Sequence, residues 1–193
     1  MATLQDSYNT GDNENASCTN TDWKAMTFVA GTTYLTTSTK LKLWRDIGTT
    51  PGTVTVSIRA TDGKAPTGDD LCSGTSDGNT LPELDTSAEW RKFLFSSGTT
   101  LTGNSVYAIC CRSSSADPAR WRMDTLSGYS AGTIYLSGDS GANWSEYAYD
   151  AMFETYSGDV SGSSGRGVAS NRTVATNRGV VSGRTVATNR VNI

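Results

Sequence analysis

The sequence predicts an all-β protein: an antiparallel β-sandwich of jelly-roll type, followed by an extended β tail built from hexapeptide repeats. Three observations carry this expectation. Short stretches alternate apolar and polar residues, the period of a half-buried strand, while no segment holds a 3.6-residue period over three turns. Clusters of Gly, Asp, Asn, Ser and Thr separate those stretches at short intervals. From residue 166 onward, the chain repeats with an even period of six.

Taken in order, residues 1–20 are polar and read as an N-terminal arm. KLKLWR (40–45) sets Leu41 and Leu43 on one face and Lys40, Lys42 and Trp44 on the other. TVTVSIRA (53–60) aligns Val54, Val56, Ile58 and Ala60. WRKFLF (90–95), SVYAICC (105–111), GTIYLS (132–137) and YDAMFETY (149–156) complete the candidate strands. GTTPGT, TDGKAPTGDD, SSGTTLTGN and SGDSGAN read as the turns between them. The sandwich is therefore expected over 21–156, a Gly/Ser linker over 157–165 and the repeat tail over 166–193.

The tail reads R-x-V-x-[ST]-[NG] four times. Arg166, Arg172, Arg178, Arg184 and Arg190 stand six apart, and Val168, Val174, Val180 and Val186 follow the first four arginines by two. In a strand, a period of two divides six, so every Arg and Val shares one face and recurs every ~20 Å. In a helix, six residues turn through about 600°, and the arginines would spiral round the axis. One Val per hexad buries too little to hold an isolated strand. By composition alone the segment also fits a low-complexity tail; as an ordered element it needs partners, most simply other copies of the chain.

Charge divides the chain in the same place. Residues 1–160 carry 11 Lys and Arg against 19 Asp and Glu, whereas residues 161–193 carry five Arg and no acid. A basic arm on an acidic body suits docking of one copy on another, and the dilution of the arginines makes nucleic acid the weaker expectation. No run of about 18 apolar residues is present, so no membrane span is expected. The N-terminus lacks a basic and then apolar leader pattern. A protein used in a cytoplasm, or released by assembly or lysis, is the corresponding expectation.

The sequence has no His, which excludes a Ser-His-Asp triad and His-bound metals. No C-x-x-C pair suggests zinc, no P-loop spacing is present and no cofactor is implied. Cys18, Cys72, Cys110 and Cys111 read either as buried free thiols or with a Cys18–Cys72 cross-link. Cys110 and Cys111 must face opposite sides of their strand. Glu89, Glu146 and Glu154 are the carboxylates available to a glycosidase-like pair, but no spacing singles them out. Asp62, Asp69, Asp70 and Asp139 lie in turn segments and read as turn formers before calcium ligands. Of the five tryptophans, Trp44, Trp121 and Trp144 are the candidate glycan-contact aromatics, against the alternative of core packing; Trp121, flanked by Arg120 and Arg122, reads as an outward ring near a loop.

Several phrases recur together: TYLTTSTKLKLWRDIGTTPGTVTVSIRATDGKAPTGDDLCSGT (33–75), EWRKFLF (89–95), LTGNSVYAICCR (101–112), GYSAGTIYLSGDSGANW (128–144) and YDAMFETY (149–156). Residues 23–156 resemble a family of β-sandwich domains found in phage and prophage structural proteins and in microbial surface proteins. That choice-of-anchor type family is similar in outline to carbohydrate-binding jelly rolls. The resemblance implies a sandwich with an architectural role, and its motifs carry no catalytic residue. Cys72, Cys110 and Cys111 depart from its pattern.

The functional expectation is a non-enzymatic virion protein: a phage decoration, head-fibre or tail-associated protein. It would self-associate through its tail, as a trimer, or anchor on a capsid protein. Two alternatives are a subunit of an extracellular filament joined by strand exchange, and a carbohydrate-binding or adhesion module that meets cell-surface glycan.

Overall fold

The computed structural model describes residues 1–126 and 128–158. The expected repeat tail, with Arg166, Arg172, Arg178, Arg184, Arg190, Val168, Val174, Val180 and Val186, lies outside the described residues, as does most of the expected linker.

Thirteen strands make up the described residues: β1 (Thr3–Tyr8), β2 (Glu14–Cys18), β3 (Trp23–Val29), β4 (Tyr34–Arg45), β5 (Thr53–Thr61), β6 (Pro66–Asp77), β7 (Glu89–Leu101), β8 (Val106–Ser113), β9 (Ala119–Asp124), β10 (Ile134–Ser137), β11 (Ser145–Tyr147), β12 (Asp150–Ala151) and β13 (Phe153–Ser157). Two single-turn 3-10 helices lie between β6 and β7. All pairings are antiparallel. The first sheet runs β1-β13-β4-β9-β12, with β7 also on β4 and β2 also on β9. The second runs β11-β10-β3-β8-β5-β6. No helix of the described residues is long and apolar enough to cross a membrane.

The period-two pattern explains the core. Leu41, Leu43, Phe93, Trp121 and Phe153 of the first sheet meet Phe28, Ile58, Ile109 and Ile134 of the second in one buried cluster. Phe28 and Phe153 bridge the sheets with ring centroids 5.4 Å apart. Each such side chain contributes roughly 1.5–3 kcal/mol on burial. Cys110 and Cys111 do face opposite ways: Cys111 joins the core, and Cys110 joins a smaller cluster with Ala25, Ala108 and Tyr135. That cluster marks the outer face of the second sheet.

Four sequence expectations are corrected. The polar arm of residues 1–20 contributes two strands of the first sheet, β1 on β13 and β2 on β9. Backbone pairing recruits it, and its few larger side chains anchor it: Tyr8 and Cys18 are buried in the core. Asp6 of the arm accepts hydrogen bonds from Gly31 N (2.9 Å) and Tyr34 Oη (2.8 Å). TDGKAPTGDD is a turn only over residues 62–65, and Pro66 opens β6 at a position where no ladder donor is needed. SSGTTLTGN continues β7 as far as Leu101, opposite Tyr34. YDAMFETY divides at Met152, because Asp150–Ala151 pair with β9 whereas Phe153–Ser157 pair with β4.

Candidate functional site

A concavity lies on the outer face of the second sheet. Beneath it lies a row of small, fully buried side chains beside Tyr135. Tyr135 of β10 stands opposite Ala25 of β3, Ala25 opposite Cys110 of β8, and Cys110 opposite Ser57 of β5. Two hairpins rise on either side. One is the β5–β6 turn, Asp62-Gly63-Lys64-Ala65, closed by Asp62 N donating to Ala65 O (3.3 Å) and Lys64 N donating to Asp62 Oδ1 (3.1 Å). Gly63 takes φ +96° at its tip, a conformation that L side chains avoid. The other hairpin joins β10 to β11 and carries Trp144 and Glu146. Asp139 shapes this second hairpin by accepting from Ser137 Oγ (2.7 Å), Asn143 N (2.9 Å) and Asn143 Nδ2 (2.7 Å).

Between the hairpins runs a trough with two lobes. The larger, about 530 Å³, is lined by Asp62, Gly63, Lys64, Ala65, Tyr135, Trp144 and Glu146. The smaller, about 320 Å³, shares Gly63, Lys64, Tyr135 and Glu146 and continues toward Thr27 and Gly132. Both volumes fall within the range of small-ligand sites. The continuation depends on Gly132, where a Cβ would stand 1.8 Å from Thr27 O, so only glycine lets the backbone lie this close to β3.

The chemistry of the trough is mixed. Trp144 is half-buried and Tyr135 is buried, with its hydroxyl 3.4 Å from Glu146 Oε2. Burial raises the Tyr135 phenol above its ordinary pKa, and the neighbouring Glu146 and Asp62 carboxylates raise it further. The phenol therefore stays protonated and serves as a donor. Asp62, Lys64 and Glu146 are exposed. An aromatic wall thus faces two carboxylates and one ammonium.

Beside the trough, Asp70 of β6 accepts from Arg59 Nε (2.7 Å), Arg112 (2.6 Å) and Ser57 Oγ (2.8 Å), tying β5, β6 and β8 together. Burial pulls its pKa up, but the hydrogen bonds from Arg59, Arg112 and Ser57 outweigh it and hold the carboxyl below its ordinary value. Both guanidinium groups lie over the Trp23 ring, at 5.2 and 4.5 Å. Asp70 and Asp139 are thus occupied in holding loops and strands.

The structure separates the three candidate aromatics. Trp144 lines the trough. Trp44 lies half-buried on the first sheet, with the Arg120 guanidinium 5.9 Å from its ring. Trp121 is a core residue, 0% exposed, and its indole donates to Met152 O at 2.8 Å. The flanking arginines suggested an outward ring, but alternation along β9 turns Arg120 and Arg122 away from the core and Trp121 into it. The Cys18–Cys72 cross-link is likewise corrected. All four cysteines are buried free thiols. Cys18 is hydrogen-bonded to Cys111, which raises the Cys111 pKa well above its ordinary value, with burial adding to the effect. Glu89, Glu146 and Glu154 fall on β7, β11 and β13 and are not gathered. Glu89 pairs with Arg91 and Glu154 with Lys40.

Asp62, Lys64, Tyr135 and Glu146 were not singled out as a group by sequence. Asp62 and Lys64 flank a Gly in a short turn, an ordinary hairpin signal, and Glu146 follows Trp144 by two residues. Only the strand order β10-β3-β8-β5 brings these segments together. The fold and the trough define a two-sheet, all-β protein with a polar-aromatic surface site. No protein-family model matches the chain. No curated protein matches it either.

Proposed function

We propose that the chain is a non-enzymatic structural and binding protein of a virus particle: a phage decoration, head-fibre or tail-associated protein with a sandwich of jelly-roll kind. The sandwich is displayed with its trough outward. The C-terminal repeat joins copies of the chain, as a trimer, or holds them on a capsid protein. The observation that carries this reading is the pairing of the first and last described strands, Thr3 opposite Ser157. That pairing closes the body at Ser157, ahead of the hexads in the chain. Arg166, Arg172, Arg178, Arg184 and Arg190 would meet acidic groups of neighbours, and the valines two residues on would form a shared apolar seam.

The test is a chain ended at Gly158, compared with the full chain by light scattering at micromolar concentration. The full chain is expected to be a closed oligomer, and the shortened one a monomer that melts within about 2 °C of it, the scale of a change under 1 kcal/mol. A shortened chain that assembles as the full chain does overturns the reading.

One observation favours a second reading, a filament joined by strand exchange. Among the described residues β1 pairs only with β13, so its other edge could accept a strand from the next copy. Electron microscopy separates the two: open, indefinite rods support the filament, and closed particles of fixed size support the virion protein.

A further inference from the structure

We infer that the trough between the β5–β6 and β10–β11 hairpins is a binding site for a neutral oligosaccharide. The inference rests on the reading of the chain as a displayed binding protein and names what its site takes.

The lining of the trough selects this class of ligand. Trp144 offers a half-buried ring as a wall, set beside the largely buried Tyr135. A pyranose ring has an apolar C–H face that packs on such a surface and a rim of hydroxyls that must be hydrogen-bonded. The groups opposite suit that rim: Asp62 and Glu146 accept from hydroxyls, while Lys64 donates. Tyr135 already holds Glu146 at 3.4 Å, so one acceptor is positioned before a ligand arrives.

Charge narrows the class. Of the residues lining the two lobes, Lys64 alone is cationic, against Asp62 and Glu146. Phosphates, sialic acids and uronic acids would bring negative charge to a site that already holds a net negative one. The floor argues against a peptide. β10, β3 and β8 are each paired on both sides, so the face beneath the trough offers no backbone to an added strand, and the sheet's edge at β11 lies on the rim. Shape completes the choice, because the lobes of about 530 and 320 Å³ share Gly63, Lys64, Tyr135 and Glu146 and so lie side by side. Adjacent lobes of this kind suit successive sugar rings.

The test uses the full chain on an array holding neutral, sialylated and uronic-acid glycans, and on whole bacterial envelopes with and without periodate, which cleaves vicinal diols. Neutral glycans are expected to bind. Trp144→Ala is expected to weaken binding by about tenfold or more, from loss of the stacking surface. Glu146→Gln, an isosteric change at an exposed position, is expected to weaken it about fivefold. It also guards against the possibility that Trp144→Ala unfolds the hairpin. Periodate is expected to abolish envelope binding.

Preference for acidic glycans, or neutral binding unchanged in both variants, overturns the inference. Envelope binding that needs Trp144 and Glu146 but resists periodate and is lost to protease also overturns the saccharide, while leaving the trough as the binding site of a displayed protein. Envelope binding unaffected by either variant overturns both. The oligomeric state of the chain ended at Gly158 tests assembly separately.

Discussion

Trp121 offers the sharpest check on how the sheets pack. Its ring is 0% exposed in the shared core, and its indole N–H donates at 2.8 Å to Met152 O, in the break between β12 and β13. Met152 N in turn donates to Arg122 O (2.9 Å), so the break is bonded on both sides to β9. Trp121→Ala removes the largest fully buried side chain and leaves a cavity between two sheets that cannot collapse freely. The cost is about 3–5 kcal/mol. At about 2–4 °C per kcal/mol for a body of this size, melting should fall by ~6–20 °C. Trp121→Phe keeps most of the volume but leaves the Met152 carbonyl without its donor, a loss of about 1–3 kcal/mol. Urea and thermal unfolding of both variants measure these losses. A Trp121→Ala protein within about 1 kcal/mol of the parent, and defective instead in glycan binding, would refute the core placement and restore the outward ring.

Asp70 should make stability depend on acid. Its folded pKa is lowered, so its contribution is complete above the unfolded carboxyl value of about 3.9 and is lost as pH falls through the folded value. With its side chain 22% exposed, Asp70→Asn should cost about 1–2 kcal/mol at pH 7, and the difference from the parent should shrink below about pH 4, as read by urea unfolding at each pH. The thiols should be inert in the folded protein. Burial pushes Cys72 and Cys110 up to about 12, the Cys18 hydrogen bond raises Cys111, and Cys18 itself is fully buried, so a thiol reagent at pH 8 should label none of the four cysteines before denaturation and all four after it. Rapid labelling of Cys110 in the native state would show that the cover of the second sheet's outer face is open.

The sequence by itself determined the features that depend on neighbours along the chain. Alternation set Leu41, Leu43, Val54, Val56 and Ile58 inward, and the same rule divided Cys110 from Cys111. It also established the six-residue beat of the tail. Strand identity failed where local signals were weak. ENASC and TGDDLCSGTSD have few apolar residues, and they become strands because β9 and β5 offer them ladders. Trp121 misled for a related reason. Flanking arginines report polarity, but they do not report which face of β9 the other sheet covers. Only the tertiary structure decided which strands pair, that Cys18 meets Cys111, and that residues 62–65, 135, 144 and 146 share one trough. The division has a physical cause. Side-chain direction repeats every two residues and is set by the backbone itself, whereas pairing is chosen by the burial and hydrogen bonding of segments far apart in the chain, as Tyr156 opposite Leu4 illustrates.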